Sequence, residues 1–305
     1  MNTVLVGVDP QELSVPALLW AADEAARRGL RLHMVTAVPP VHERLAYDAF
    51  HHGGALRTRA ESALANAEDL VRELHPGLSS ATELVDGPPA AVLRERAARA
   101  ALAVVGSRHL GRAAEIFSEG SVVLPLTACA DCPVVVVRAP EHTLVHPPTL
   151  VVGVDGSASS RAAVAFAAEE ASLRGARLRT IWVRPHPAPT HETEARDLAA
   201  CRRLLAASVA GPRERHPGVD VTEEVVSGHP VERLALAARS ALALVVGRRG
   251  SGGYTGMRVG STVHGLLHHA ECPVITVPPT GRGDTGDDLA QAERSSLRTG
   301  RPAPV

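Results

Sequence analysis

No lysine occurs anywhere in the chain, so all 32 of its basic side chains other than histidine are arginine. That absence excludes the lysine-bearing phosphate loop of the G-x4-G-K-[ST] kind and any mechanism built on a lysine Schiff base. Aromatic residues make up only 2% of the 305 residues, which leaves few platforms for stacked nucleic-acid bases. The formal net charge is -1, so no overall field draws the protein to nucleic acid or to an anionic membrane. No stretch has the length and uniform apolarity of a transmembrane helix. The N-terminal Met1-Asn2-Thr3-Val4 lacks the basic region of a signal peptide and runs straight into a strand pattern. Four cysteines are too few for a disulfide framework. The expectation is a cytoplasmic protein with neither nucleic acid nor membrane as partner. Arginine-only usage beside abundant alanine, proline and glycine fits a GC-rich bacterial genome.

What the chain does have is a repeat. Val4-Leu5-Val6-Gly7-Val8-Asp9 returns as Leu150-Val151-Val152-Gly153-Val154-Asp155. At the same offset Trp20-Ala21-Ala22-Asp23-Glu24-Ala25 matches Phe166-Ala167-Ala168-Glu169-Glu170-Ala171, and Gly29 matches Gly175. Val104-Val105-Gly106 and Cys132-Pro133-Val134 recur as Val245-Val246-Gly247 and Cys272-Pro273-Val274. Self-similarity of this length marks a tandem duplication of one folding unit.

Within each repeat, short apolar runs alternate with longer segments of helical period. Strands are expected near Val4–Val8, Leu32–Val38, Thr82–Val85, Ala103–Val105 and Val134–Val137. Their second-repeat counterparts lie near Val151–Val154, Leu178–Val183, Val221–Val226, Ala243–Val246 and Val274–Val277. Helices are expected near Val15–Arg28, Leu56–Leu74, Ala90–Ala101 and Ser121–Ala130, then Ser160–Arg174, Glu192–Arg215, Pro230–Ser240 and Ser261–His269. Alternation of this kind implies an α/β fold, with parallel strands joined by right-handed crossovers and covered on both faces. Ligands in such sheets bind beyond the carboxyl ends of the strands, where strand order reverses. The units span about 1–141 and 148–279, joined by a Pro- and His-containing linker at Glu141–Pro148. A tail over 280–305 has little to bury and reads as disordered.

The densest chemical signal follows the fourth strand of the second repeat: Gly247-Arg248-Arg249-Gly250-Ser251-Gly252-Gly253, then Gly256, then Gly260-Ser261-Thr262 at the start of the last helix. Glycines let backbone N–H groups approach an anion without a Cβ in the way, and a helix N-terminus adds free donors and partial positive charge. The spacing Gly247-x2-Gly250-x9-Gly260-Ser261 resembles the nucleotide signature of the ATP-binding branch of the universal stress protein family, and Cys272-Pro273-Val274 resembles its entry to the last strand. The resemblance runs over about residues 3 to 279. It implies an adenine-nucleotide alpha-hydrolase-like fold of two tandem five-stranded parallel sheets, each of order 3-2-1-4-5 and sandwiched by helices.

It also implies ATP as ligand, with Mg2+ as a candidate companion, and a role in nucleotide-dependent signalling or protection under stress. The implied contacts in the second repeat are Asp155, Gly156 and Ser157 after the first strand, with Ser157 donating to the ligand. The backbone of Val183 faces adenine, with Trp182 beside it as a fluorescent reporter. Gly247, Arg248, Arg249, Gly250, Gly252, Gly253, Gly260, Ser261 and Thr262 complete the set. The first repeat offers Asp9, Ala37, Gly106, Ser107, Arg108, His109, Gly120 and Ser121 as a weaker site. It has Pro10 for Gly156, His109 for Gly250, and a loop one residue longer. Pro10 fixes φ and removes a donor. The last strands are implied to pair within one chain as a pseudo-dimer, and chains to associate further as homodimers.

Other motifs are weaker. Cys129-x2-Cys132 is compatible with zinc or redox chemistry. It stands alone, however, and the repeat assigns Cys132 the packing role of Cys272. His264 and His268 share one helix face with His269 beside them, but their first-repeat counterparts are Leu124 and Ala128. No Ser/His/Asp elbow, H-E-x-x-H helix or paired acidic metal site stands out, which favours binding over turnover. A slow ATP-consuming enzyme and a nucleotide-free interaction module stay open as alternatives.

Overall fold

In a computed structural model, residues 2–39, 46–107, 121–138, 147–184, 191–251 and 258–279 are described. The tail, and all of the expected linker except its last two residues, lie outside them. Among the described residues ten strands form one sheet. The first repeat contributes β1 (Thr3–Gly7), β2 (Arg31–Val38), β3 (Ser80–Asp86), β4 (Leu102–Gly106) and β5 (Val134–Val137). The second contributes β6 (Thr149–Val154), β7 (Arg177–Arg184), β8 (Val221–Ser227), β9 (Ala243–Gly247) and β10 (Val274–Val277). The order is β3-β2-β1-β4-β5-β10-β9-β6-β7-β8. Each half therefore has the 3-2-1-4-5 order, parallel throughout. The halves meet antiparallel, with Ile275 opposite Val135. β5 and β10 are fully buried runs of four residues, and each satisfies the backbone edge that the other would expose.

Among the described residues eight helices cover the sheet: α1 (Val15–Arg28), α2 (Ala46–Leu74), α3 (Pro89–Ala97), α4 (Val123–Cys129), α5 (Ala158–Arg174), α6 (His191–Arg215), α7 (Pro230–Ala237) and α8 (Ser261–His269). Strand residues alternate between two apolar cores. One packs Val4, Val6, Val152 and Val245 under α1, α2, α5 and α6. The other packs Leu5, Val105, Val151 and Val246 under α3, α4, α7 and α8. Burial on both faces is why the central strands read as unbroken apolar runs. α2 extends ten residues upstream of the expected start and passes through Gly53-Gly54. Glycines tolerated inside a long helix concealed that start.

A polar cluster joins α1 to α5 across the repeats. Trp20, Glu24 and Arg28 face their duplicates Phe166, Glu170 and Arg174. Arg28 pairs with Glu24 on its own helix and donates to Glu170 at 2.7 Å and Glu169 at 2.6 Å on the other. Arg174 pairs with Glu170 and donates to Glu24 at 2.9 Å. Each guanidinium also lies over the partner repeat's ring, Arg28 over Phe166 at 5.4 Å and Arg174 over Trp20 at 5.0 Å. Both carboxyls are completely buried, and burial followed by the charge of Glu170 pushes Glu24 up to about 7. Burial acts to raise Glu170 too, but Arg174, the hydrogen bond with Glu24 and Arg28 outweigh it and hold that group below its ordinary value.

Candidate functional site

β6 is flanked by β7 on one side and β9 on the other. The chain leaves β6 through α5 toward β7, whereas β9 belongs to the later half of the repeat. A crevice opens where these directions diverge, beyond the carboxyl ends of the strands. It holds a cavity of about 430 Å3, within the roughly 300–1,000 Å3 typical of ligand pockets.

The cavity floor comes from the strand ends Gly153, Val154, Asp155, Val246 and Gly247. One wall is apolar, made by Ile181 and Val183 of β7 and by Pro230 and Leu234 of α7. The opposite rim is polar: Arg249, Gly250 and Val259, then Gly260, Ser261, Thr262 and Val263 at the start of α8. A flat apolar group fits against the first wall and an anion against the first-turn N–H groups of α8, which a helix leaves without intrahelical partners. Pro230 and Leu234 carry no motif signal; they are ordinary core residue types and only the packing of α7 makes them site residues.

Asp155 ties the turn after β6 to the glycine loop. Its Oδ1 accepts from the Ser157 N–H at 3.0 Å and its Oδ2 from the Ser251 N–H at 2.7 Å. Gly156 sits at φ +75°, a left-handed conformation closed to proline. Ser157, expected to donate to the ligand, is buried and holds the scaffold instead. Its hydroxyl caps α5 by accepting from the Ser160 N–H at 3.1 Å and donates to the Arg249 carbonyl at 3.3 Å. Arg248, also expected at the ligand, points away: its Nη1 donates to the Ala130 carbonyl of the first repeat at 2.6 Å. Trp182 faces the opposite side of the sheet from Ile181 and Val183 and packs with the α1/α5 core, so strand alternation removes it as a reporter beside the cavity. Gly252, Gly253 and Gly256 lie outside the described residues.

The three signature glycines differ in what demands them. A Cβ on Gly247 would lie 2.6 Å from the Ser159 backbone carbon, and one on Gly250 would lie 2.6 Å from Asp155 Oδ2. The first clash is with backbone, and the second is with a carboxylate oxygen already held by the Ser251 N–H, so the protein's own packing disfavours a side chain at both. A Cβ on Gly260 meets nothing closer than 3.6 Å. Gly260 is the N-cap of α8 at φ -69°, which any residue adopts. The fold therefore has room for a Cβ at Gly260, which is one of the residues lining the cavity.

The universal stress protein family model matches residues 1–138 and again residues 148–278. The chain belongs to the universal stress protein family. A universal stress protein of Mycobacterium tuberculosis is 34% identical over 286 residues, covering 89% of this chain and 95% of the relative. One of Mycolicibacterium smegmatis is 32% identical over 292 residues, covering 90% and 97%. The crystal structure of a universal stress protein from Archaeoglobus fulgidus matches with a TM-score of 0.72 at 19% identity, over 93% of this chain and 97% of that one. A putative universal stress protein from Pseudomonas aeruginosa matches at 0.62 and 22% identity, over 97% and 98%. Both structures speak to the fold.

The first repeat of this universal stress protein has a cavity in the corresponding place, about 380 Å3, lined by Asp9, Ala37, Gly106, Ser107 and Ser121 among others. Arg108, His109, Gly111 and Gly120 lie outside the described residues. Asp9 makes the same local bond as Asp155, accepting from the Gln11 N–H two residues on at 2.8 Å. The turn then diverges. Pro10 cannot take the left-handed turn of Gly156, and the chain runs through Gln11, Glu12 and Leu13 before α1 starts. These residues and Pro39 and Leu56 line the cavity. Glu12 adds a second carboxyl to this lining, whereas Asp155 is the one acidic residue among the described lining residues of the second cavity.

Among the described residues, no group of three or more His, Cys, Asp or Glu is arranged to hold a metal, and no helix is long and apolar enough to cross a membrane. Cys132 and Cys272 are buried, and burial pushes each thiol up to about 12. The rings of His264 and His268 stand 4.9 Å apart on α8; burial, then His268, lowers His264.

Proposed function

We propose that the protein binds ATP in the cavity of the second repeat and links its occupancy to the stress response, without efficient turnover. The observation that carries this reading is Gly260. It is the one signature glycine that the ligand-free fold does not need, and it stands on the polar rim at the start of α8. In this reading Ile181, Val183 and Leu234 hold the adenine, with the Val183 backbone recognising its edge. The phosphates lie against Gly250, Gly260, Ser261 and Thr262 beside the Arg249 guanidinium. Asp155 is the one acidic residue among the described lining residues. It is already held by two backbone N–H groups, so it positions the loop and any Mg2+ is carried by the nucleotide's own phosphates. Further association of chains as homodimers belongs to the same reading and is decided by sedimentation.

The test is to denature purified protein, identify released nucleotide by chromatography, and titrate the emptied chain with ATP in a calorimeter. One tight ATP per chain, with turnover no faster than background, is the expected result. No released nucleotide together with no heat of ATP binding would refute the proposal, and steady ATP consumption would move the protein to the enzyme class.

A further inference from the structure

Two arginines cross between the repeats, and each joins one cavity to the helix of the other. Arg138 follows β5 and lines the cavity of the first repeat. Its Nη1 donates to the carbonyl of His268 at 2.7 Å, in the last turn of α8. The opposite end of α8 supplies Ser261, Thr262 and Val263 to the second cavity. The reciprocal bond starts in the loop of that second cavity. Arg248 stands between the lining residues Gly247 and Arg249 and donates to Ala130, the C-cap of α4. The chain entering α4 supplies Ser121, Val122 and Val123 to the first cavity. The Arg248 backbone is held as well: its N–H donates to the Val277 carbonyl at 2.8 Å and its carbonyl accepts from Gly260 at 3.0 Å. These bonds connect Gly260, on the rim of the second cavity, to the end of α4.

The physics sets a direction. A cation at a helix C-terminus satisfies a carbonyl that the helix leaves unpaired and complements the helix dipole, as an anion does at the N-terminus. Arg138 therefore supports the same α8 whose first turn faces the second cavity. It is also the one cationic side chain among the described residues lining the first cavity. An anion entering there competes with the His268 carbonyl for this guanidinium.

We infer that the two cavities are antagonistically coupled: an anionic ligand in the first cavity draws Arg138 from the C-terminal turn of α8 and weakens nucleotide binding at its N-terminus. The inference rests on the nucleotide reading of the second cavity, and coupling of this kind acts equally in both directions. The full chain is titrated with ATP as wild type, Arg138→Met and Arg138→Lys. The Met variant keeps the aliphatic stem and loses the cap, so the tight site weakens about fivefold, in the range such links carry; the Lys variant stays within about twofold of wild type. A second measurement uses the wild type alone. ATP at a concentration that fills only the tight site changes amide hydrogen exchange in α4, which belongs to the other repeat. Wild-type affinity in Arg138→Met, or α4 exchange indifferent to ATP, overturns the coupling alone. A wild type that binds no ATP overturns the nucleotide reading and the coupling with it.

Discussion

The cavities of the two repeats lie at equivalent places in one sheet, each beside an aspartate that accepts an N–H two residues on. They differ in what surrounds that aspartate. In the second repeat Gly156 turns left-handed, Ser157 caps α5 at once, and Asp155 reaches on to the Ser251 N–H in the glycine loop. In the first, Pro10 forbids that turn, and a longer path brings Glu12 to the cavity with Ser14 at the N-cap, without a side-chain cap bond. Backbone conformation thus separates the two crevices as much as side chains do. Duplication conserved the strand order that makes both crevices, while single residues set the turn that follows each aspartate.

Four changes break or sharpen this contrast. The largest effect is expected from Gly260→Asp. It places a carboxylate on the rim at a position whose Cβ meets only ordinary contacts, so tight ATP binding falls by more than about a hundredfold, at the several kcal/mol cost of an unpaired charge facing phosphate. Thermal stability changes little. Retention of the tight site in calorimetry would show that it lies in the first repeat. Next is Gly247→Ala, whose methyl group must push the start of α5 off β9. Overpacking there costs about 1–3 kcal/mol, against less than about 0.5 kcal/mol for Gly260→Ala, which meets only ordinary contacts. Urea unfolding of the two variants compares them directly, and equal losses would contradict the assignment of Gly247 to packing.

The third expectation is stoichiometric. The sequence puts Pro10 where Gly156 stands and His109 where Gly250 stands, a change expected to cost two backbone contacts, each worth roughly 1.5–3 kcal/mol toward a charged acceptor. The first repeat therefore binds ATP at least about tenfold more weakly than the second, and two equal tight sites in a titration contradict this. The smallest effect tests the seam that holds the repeats in register. Glu24 is raised from an ordinary 4.5 to about 7, so across that window the folded chain keeps a proton that the unfolded chain has released. Stability from this group is fully present below about 4.5 and is lost as pH rises through about 7. The lowered Glu170 contributes in the opposite sense, and only at more acidic pH. Melting temperature therefore falls by a few degrees between pH 6 and pH 8, and Glu24→Gln, which stays neutral, flattens that dependence. An unchanged pH profile in the variant would remove Glu24 as its source.

The glycine loop, the aspartates at the ends of β1 and β6, and the lining positions Val183, Ser261 and Thr262 were legible because each rests on local pattern. A strand end, a tight turn and a helix start are encoded within a few residues. Pro230 and Leu234 were not legible, since an apolar wall has no residue-type signature. Arg248 was misplaced for a related reason. Adjacent residues leaving a strand point in different directions, and only the sheet decides which one enters the crevice. Ser157 and Trp182 failed in the same manner, one turned inward to its own helix and the other to the opposite face.

By itself the sequence determined a duplicated α/β unit, its strand and helix periodicity and the position of its glycine-rich loop, because periodicity and glycine placement act within one element. The tertiary structure decided the rest. Antiparallel pairing of β5 with β10 made one sheet of two and brought Arg138 to α8 and Arg248 to α4. The same pairing set Glu24 against Glu170 between the repeats. Those contacts join residues more than a hundred positions apart, and they exist only because an exposed sheet edge has to be satisfied by another strand.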